Sequence, residues 1–151
     1  GRSIFNRKRW EGLTEAQKVA VKERYYELVA LSAASRMFDI LGHIDAMKGY
    51  YPAFSDIPTQ AVDDTLKLIG ECGIAIEINT SGKTKEVGGW YPSDDMLERA
   101  LHYGVMVTFG SDAHTPERVA DDWETVRAKL KEIGFKQWCF FRRRRRVTVD
   151  L

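Results

Sequence analysis

From residue 37 onward, short β-branched and aromatic runs alternate with longer stretches whose apolar residues recur at helical spacing, and few folds accommodate that alternation. Phe38-Asp-Ile-Leu-Gly-His-Ile-Asp45 reads as a short buried strand ending in polar residues. Ile74-Ala-Ile-Glu-Ile-Asn79 and Val105-Met-Val-Thr-Phe109 read as the second and third strands, and residues 135–141 as a fourth. Pro58 and Thr59 open a helix with Val62, Leu66 and Ile69 on one face, closed by Gly70 to Gly73. Ser93 is placed to cap the next helix, with Asp94 and Asp95 in its first turn and Gly104 at its end. Thr115-Pro116-Glu117 begins a further helix, marked by Trp123, Val126, Leu130 and Ile133 and stopped by Gly134. The pattern repeats about every 30–36 residues, which is too long for hairpins and suits a strand, a crossover helix and a parallel strand. An α/β fold with parallel strands and helical crossovers follows.

Upstream, Thr14-Glu-Ala-Gln17 matches a capping box, so a long helix is expected after it. Val21, Tyr25, Leu28 and Val29 supply its inner side, with Lys18, Lys22, Glu23 and Glu27 turned mostly to solvent. The segment up to Gly12 is basic and irregular. It opens Gly-Arg-Ser-Ile-Phe without an initiator methionine, which reads like a cut.

A chain of 151 residues can bury one domain's core, and its net charge of +1 gives no global attraction to nucleic acid. Cys72 and Cys139 match no metal or redox spacing, and read as free thiols in a reducing cytoplasm. No apolar run is long enough to span a bilayer, and nothing resembles a signal peptide. A soluble, cytoplasmic protein with no membrane partner is expected. The one dense basic run, residues 142–146, follows Phe140 and Phe141. Without a stacking motif it reads as a solvated strand edge or tail, and nucleic-acid binding is the lesser alternative.

Three strands end in polar pairs: His43 and Asp45, Glu77 and Asn79, Asp112 and His114. In parallel α/β folds the functional groups gather at the carboxyl ends of the strands. If the extended backbone persists past Gly110, Asp112 and His114 point the same way and can hold a metal, form an acid/base couple or cap the following helix. His43, Asp112 and His114 offer nitrogen and oxygen ligands suited to zinc, manganese or iron. No protein nucleophile competes: Ser111 lacks the Gly-x-Ser-x-Gly elbow and suits a local hydrogen bond. Glu77 is open between metal ligand, a group orienting a histidine, and a buried carboxylate. Asp45 suits a turn or an orienting role, and His102 a structural or exposed one. Lys48, Lys83 and Lys85 follow the first two strands and would overhang the same face, where an anionic substrate could meet them. For Lys83 and Lys85 a solvated role is the simpler reading.

Phe38-Asp-Ile-Leu-Gly-His-Ile-Asp45, Glu77-Ile-Asn-Thr-Ser-Gly82, Tyr91-Pro-Ser93 and Gly110-Ser-Asp-Ala-His114 together resemble the polymerase and histidinol phosphatase (PHP) superfamily, most closely its histidinol-phosphatase branch. The four stretches occur in the family's order and approximate spacing, over nearly the whole chain. The resemblance implies a distorted (β/α)7 TIM-like barrel in which two or three divalent metal ions activate water for phosphate-ester hydrolysis, histidinol phosphate being the ester of histidine biosynthesis. Carried over, His43, Asp112 and His114 match metal ligands, and Lys48 falls where relatives often place a basic residue near the substrate phosphate. Glu77 and Asn79 match a strand of open role.

The family's opening His-x-His motif has no counterpart here, and the chain holds only three histidines. Residues 1–151 therefore resemble the C-terminal half of such a domain. The expectation is a metal-dependent phosphatase once completed by the missing N-terminal half or a complementary chain, acting on a small phosphate ester. A non-catalytic barrel fragment, serving as an interaction module, is the alternative.

Overall fold

A computed structural model describes residues 5–151. The opening tetrapeptide, part of the stretch that reads like a cut, lies outside them. The segment expected to be irregular contains a short helix, α1 (Arg7–Glu11), whose N-cap Asn6 accepts a hydrogen bond from the Lys8 backbone. It places Trp10 in the core, stacked on Tyr51 with ring centres 5.2 Å apart.

Helix α2 (Glu15–Ala34) starts at the expected capping box: the Gln17 backbone N–H donates to Thr14 Oγ1, and the Gln17 side chain accepts from the Thr14 N–H. Its inner face differs from the expected stripe. Tyr26, Ala33 and Lys22 are buried, whereas Leu28 is exposed. Lys22 tolerates burial because its ammonium donates to the carbonyls of Phe54 at 2.9 Å, Ser55 at 3.1 Å and Ile57 at 2.7 Å.

The sheet consists of β1 (Ile40–Leu41), β2 (Ala75–Asn79) and β3 (Met106–Gly110), parallel and in that order. β2 is central, and β1 is a short edge strand instead of the buried strand expected: Met37, Phe38 and Ile40 are exposed. Crossovers α3 (Ala61–Cys72) and α4 (Asp94–His102) join the strands as the periodicity indicated. Val62, Leu66 and Ile69 from α3 and Leu97 and Ala100 from α4 share one core cluster with Ile76, Ile78 and Val107. The alternation of strand side chains places Glu77 on the opposite face, level with Thr108.

Gly73, left-handed at φ 68°, ends α3. Gly70 lies inside the helix for another reason: a Cβ there would run into the backbone carbonyl of Tyr103. Helix propensity alone would make Gly70→Ala stabilising by up to about 1 kcal/mol. The close approach instead predicts a loss of about 1–3 kcal/mol, read by urea unfolding. A gain would show that α3 and the end of α4 can separate freely.

Two expectations for the last third change. Pro116 begins only a 3-10 turn, Pro116–Arg118, and α5 starts later (Trp123–Ile133) before ending at left-handed Gly134. The fourth strand exists as β4 (Gln137–Arg142), but it pairs antiparallel with β5 (Arg145–Asp150) in a separate two-stranded sheet. Arg143 and Arg144, at φ 52° and 61°, form the connecting turn. Arg144 reaches back to Asp39 at 3.2 Å and to the carbonyls of Arg36 and Met37. Both cysteines are free. Among the described residues, no helix is long and apolar enough to cross a membrane.

Candidate functional site

The carboxyl ends of β1, β2 and β3 lie side by side, so the polar residues after each strand emerge at one end of the sheet. At the centre is Glu77, whose Oε2 accepts hydrogen bonds from the His43 backbone N–H at 3.3 Å and from the Asn79 side-chain amide at 3.0 Å. Glycines flank it on both neighbouring strand ends. A Cβ at Gly42 would lie 3.2 Å from Oε2, and one at Gly110 would overlap the carboxylate, 2.8 Å from Cδ. Asn79 is buried and satisfied, its Oδ1 accepting from the Ser81 N–H at 2.9 Å and its backbone pairing with Tyr91 in both directions.

Each neighbouring strand leaves the sheet through strained backbone. His43 has φ 31° and Asp112 φ 49°, values that non-glycine residues seldom adopt. The extended conformation therefore does not persist through Asp112, so the condition for Asp112 and His114 to point the same way is not met. His114 turns back instead, its Nδ1 lying 2.8 Å from the Asp112 carbonyl and 4.0 Å from Asp112 Oδ1. A carbonyl only accepts, so Nδ1 carries the proton and the Nε2 lone pair is left for a ligand or a proton. Ser111 makes the local contact expected of it, accepting from the Ala120 N–H at 3.3 Å. His102 is exposed on α4.

Asp112 and His114 border a cleft of about 280 Å³ together with Ser81, Lys85, Thr115 and Arg118. Lys85 is exposed and makes no ion pair among the described residues. Arg118 holds Asp121 at 3.1 Å, and Lys83 binds both Asp121 and Asp122 at 2.8 Å instead of standing free in solvent. The hydrogen bond from Lys83 keeps the Asp121 carboxyl below the usual carboxylate range. Arg118 had no sequence signal, because its place depends on the turn at Pro116.

Lys48 was expected over this face, but it points inward. Its side chain is 5% exposed, pairs with Asp45 at 2.9 Å, donates to the Trp90 carbonyl at 2.8 Å and lies over the Tyr91 ring. Asp45 Oδ2 also accepts from the Ser93 N–H at 3.0 Å. Burial raises the Asp45 pKa, and the Lys48 charge opposes the shift. The Tyr91-Pro-Ser93 stretch thus covers the buried pair below the His43 loop. Ser93 precedes α4 as expected, but its hydroxyl donates to Asp95 Oδ1 at 2.5 Å instead of capping the backbone.

His43, Asp112 and His114 are all exposed, and only the last two share the cleft. Among the described residues, no three His, Cys, Asp or Glu side chains are gathered closely enough to hold a metal ion. Protein zinc sites ordinarily use three or four protein ligands. The donors as placed here do not fit a metal by themselves.

A parallel α/β sheet with polar groups converging on one strand end is an arrangement used by many enzymes, and alone it does not single out a reaction. No family model matches the chain. Sequence similarity is more specific. The chain is 32% identical over 120 residues to a probable histidinol-phosphatase of Deinococcus radiodurans, covering 80% of this chain and 45% of that protein. It is 33% identical over 104 residues to a histidinol-phosphatase of Bacillus subtilis (63% of this chain, 39% of that protein). It is 25% identical over 129 residues to a probable histidinol-phosphatase of Schizosaccharomyces pombe (74% and 41%). These similarities support a relationship to histidinol-phosphatases. The chain spans less than half the length of the curated relatives it matches.

Proposed function

We propose that the chain forms part of a phosphoric monoester hydrolase of the histidinol-phosphatase type, releasing phosphate from histidinol phosphate or a closely similar small ester. The observation that carries this reading is the cleft in which Asp112 and His114 meet Lys85 and Arg118. A phosphate dianion needs positive charge and hydrogen-bond donors, and Lys85 and Arg118 supply the charge beside Ser81 and Thr115. Lys48 would reach a phosphate only by leaving Asp45, so in this reading the phosphate contact falls to Lys85, which has no ion pair among the described residues, with Arg118 adding charge while it holds Asp121. The similarity to named histidinol-phosphatases supports the choice of substrate class.

In this reading His43, Asp112 and His114 are part of the ligand set for two or three divalent ions, zinc, manganese or iron, and a complementary portion of the protein or a second chain supplies the rest. What supports a complementary portion is that the chain covers less than half of the relatives it matches. The test is phosphate release from histidinol phosphate by the protein carrying this chain and its complementary portion, with each metal added in turn. Asp112→Ala should lower kcat/KM by at least about 100-fold, from the size of effects that even indirect partners of metal ligands show. An Asp112→Ala protein with unchanged metal content and rate would overturn the site.

A further inference from the structure

We infer that Glu77 is a positioning residue that sets the backbone of His43 and spaces it from the segment carrying Asp112 and His114. This rests on the proposed reading only in taking those three residues as the working group. Glu77 lies at the middle of the central strand, two residues before its carboxyl end, and its Oε2 is the acceptor for the His43 N–H, the backbone group of a residue held at φ 31°. A left-handed histidine is disfavoured by sterics and persists only where its surroundings hold it. The same oxygen takes the Asn79 amide at 3.0 Å, and Asn79 is itself fixed by Ser81 and Tyr91, so the carboxylate cannot swing without breaking bonds to a buried, anchored asparagine.

The other oxygen lies against the third strand. It occupies the space where a side chain at position 110 would begin, and the carboxylate fits between the strand ends because residues 42 and 110 are both glycine. One carboxylate thus accepts from the His43 backbone on one side and lies against Gly110, two residues before Asp112, on the other. Holding the backbone of neighbouring strand ends against a common group limits how far His43 can drift from the Asp112 segment, the kind of preorganisation that reactive groups need.

What His43 requires from residue 77 is an acceptor oxygen of the right reach, and a carboxamide provides one. In the complete protein, Glu77→Gln should keep kcat for phosphate release within about 3-fold, whereas Glu77→Ala should lower kcat by about 10–100-fold with KM and melting temperature little changed. Hydrogen exchange at the His43 amide supplies a readout independent of turnover: it should quicken in Glu77→Ala and stay protected in Glu77→Gln. Should Glu77→Ala fail to fold, Gly110→Ala serves instead, since its methyl group displaces the carboxylate without removing it and should reproduce both effects. Loss of activity in Glu77→Gln equal to that in Glu77→Ala would overturn positioning in favour of direct action by the charge. Unchanged rate and exchange in Glu77→Ala would overturn it outright. If the unsubstituted protein released no phosphate, the phosphatase reading would fall while the exchange of the His43 amide still decided the role of Glu77.

Discussion

Replacing Lys48 with methionine should destabilise the fold by about 3–5 kcal/mol, the usual consequence of removing one member of a buried ion pair. The pair is well enclosed, with side chains 5% and 2% exposed and 2.9 Å between Nζ and Oδ2. The carboxylate left behind would retain the Ser93 N–H, but its Oδ1 already has no hydrogen-bond partner. Burial disfavours the ionised form of Asp45, and Lys48 is the main group opposing that tendency. Adding Asp45→Asn to the variant should recover most of the loss, because a neutral amide of the same shape needs no counter-ion. Both effects are read from chemical unfolding curves. A single variant within about 1 kcal/mol of the parent, the range of exposed pairs, would show that solvent reaches the site.

Lys22→Met should cost about 3 kcal/mol. Methionine fills similar space on α2 but cannot donate, so the carbonyls of Phe54, Ser55 and Ile57 lose their shared partner. Each unsatisfied buried acceptor costs about 1–3 kcal/mol before relaxation. The gain from burying methionine in place of an ammonium offsets part of that sum. Burial lowers the Lys22 pKa, so the charge itself is held unfavourably, and the hydrogen bonds are what keep the residue there. Thermal and urea unfolding that matched the parent would mean that the three carbonyls find other donors once the ammonium is gone.

These two lysines also show where sequence was informative and where it was not. Local signals worked where the cause was local: the Thr14 and Gln17 box, the apolar face at Val62, Leu66 and Ile69, the Gly134 stop and the strand Ala75–Asn79 all appear as expected. Lys22 was assigned to solvent because its acceptors lie 32 to 35 residues further on, where no helical pattern can register them. Lys48 was assigned to the open face for the same reason, since Trp90 and Ser93 are brought over Asp45 only by tertiary structure.

The candidate site was legible in residue type more than in geometry. His43, Asp112 and His114 do follow the ends of β1 and β3, but the positive φ at Asp112 breaks the alternation on which a shared direction of Asp112 and His114 depended. The hairpin was missed because two arginines form its turn, without the Asn-Gly or Asp-Gly pair that ordinarily announces positive φ. Once the turn is known, Val147-Thr-Val149 reads readily as the returning strand.

The contact between Arg144 and Asp39 bears on the order in which the chain assembles. As an exposed ion pair, with side chains 63% and 28% accessible, it adds little to stability. Yet it joins residues 105 positions apart, so it closes a long loop. During synthesis the N-terminal side emerges first, so α2, α3 and the β1–β2 pairing can form before Arg144 exists outside the ribosome. The hairpin can form locally within microseconds, but the contact of its turn with residues 36–39 must wait for both ends of that long loop. Residues 36–39 would therefore lose their last freedom only when the hairpin turn arrives, later than the β1–β2 pairing beside them.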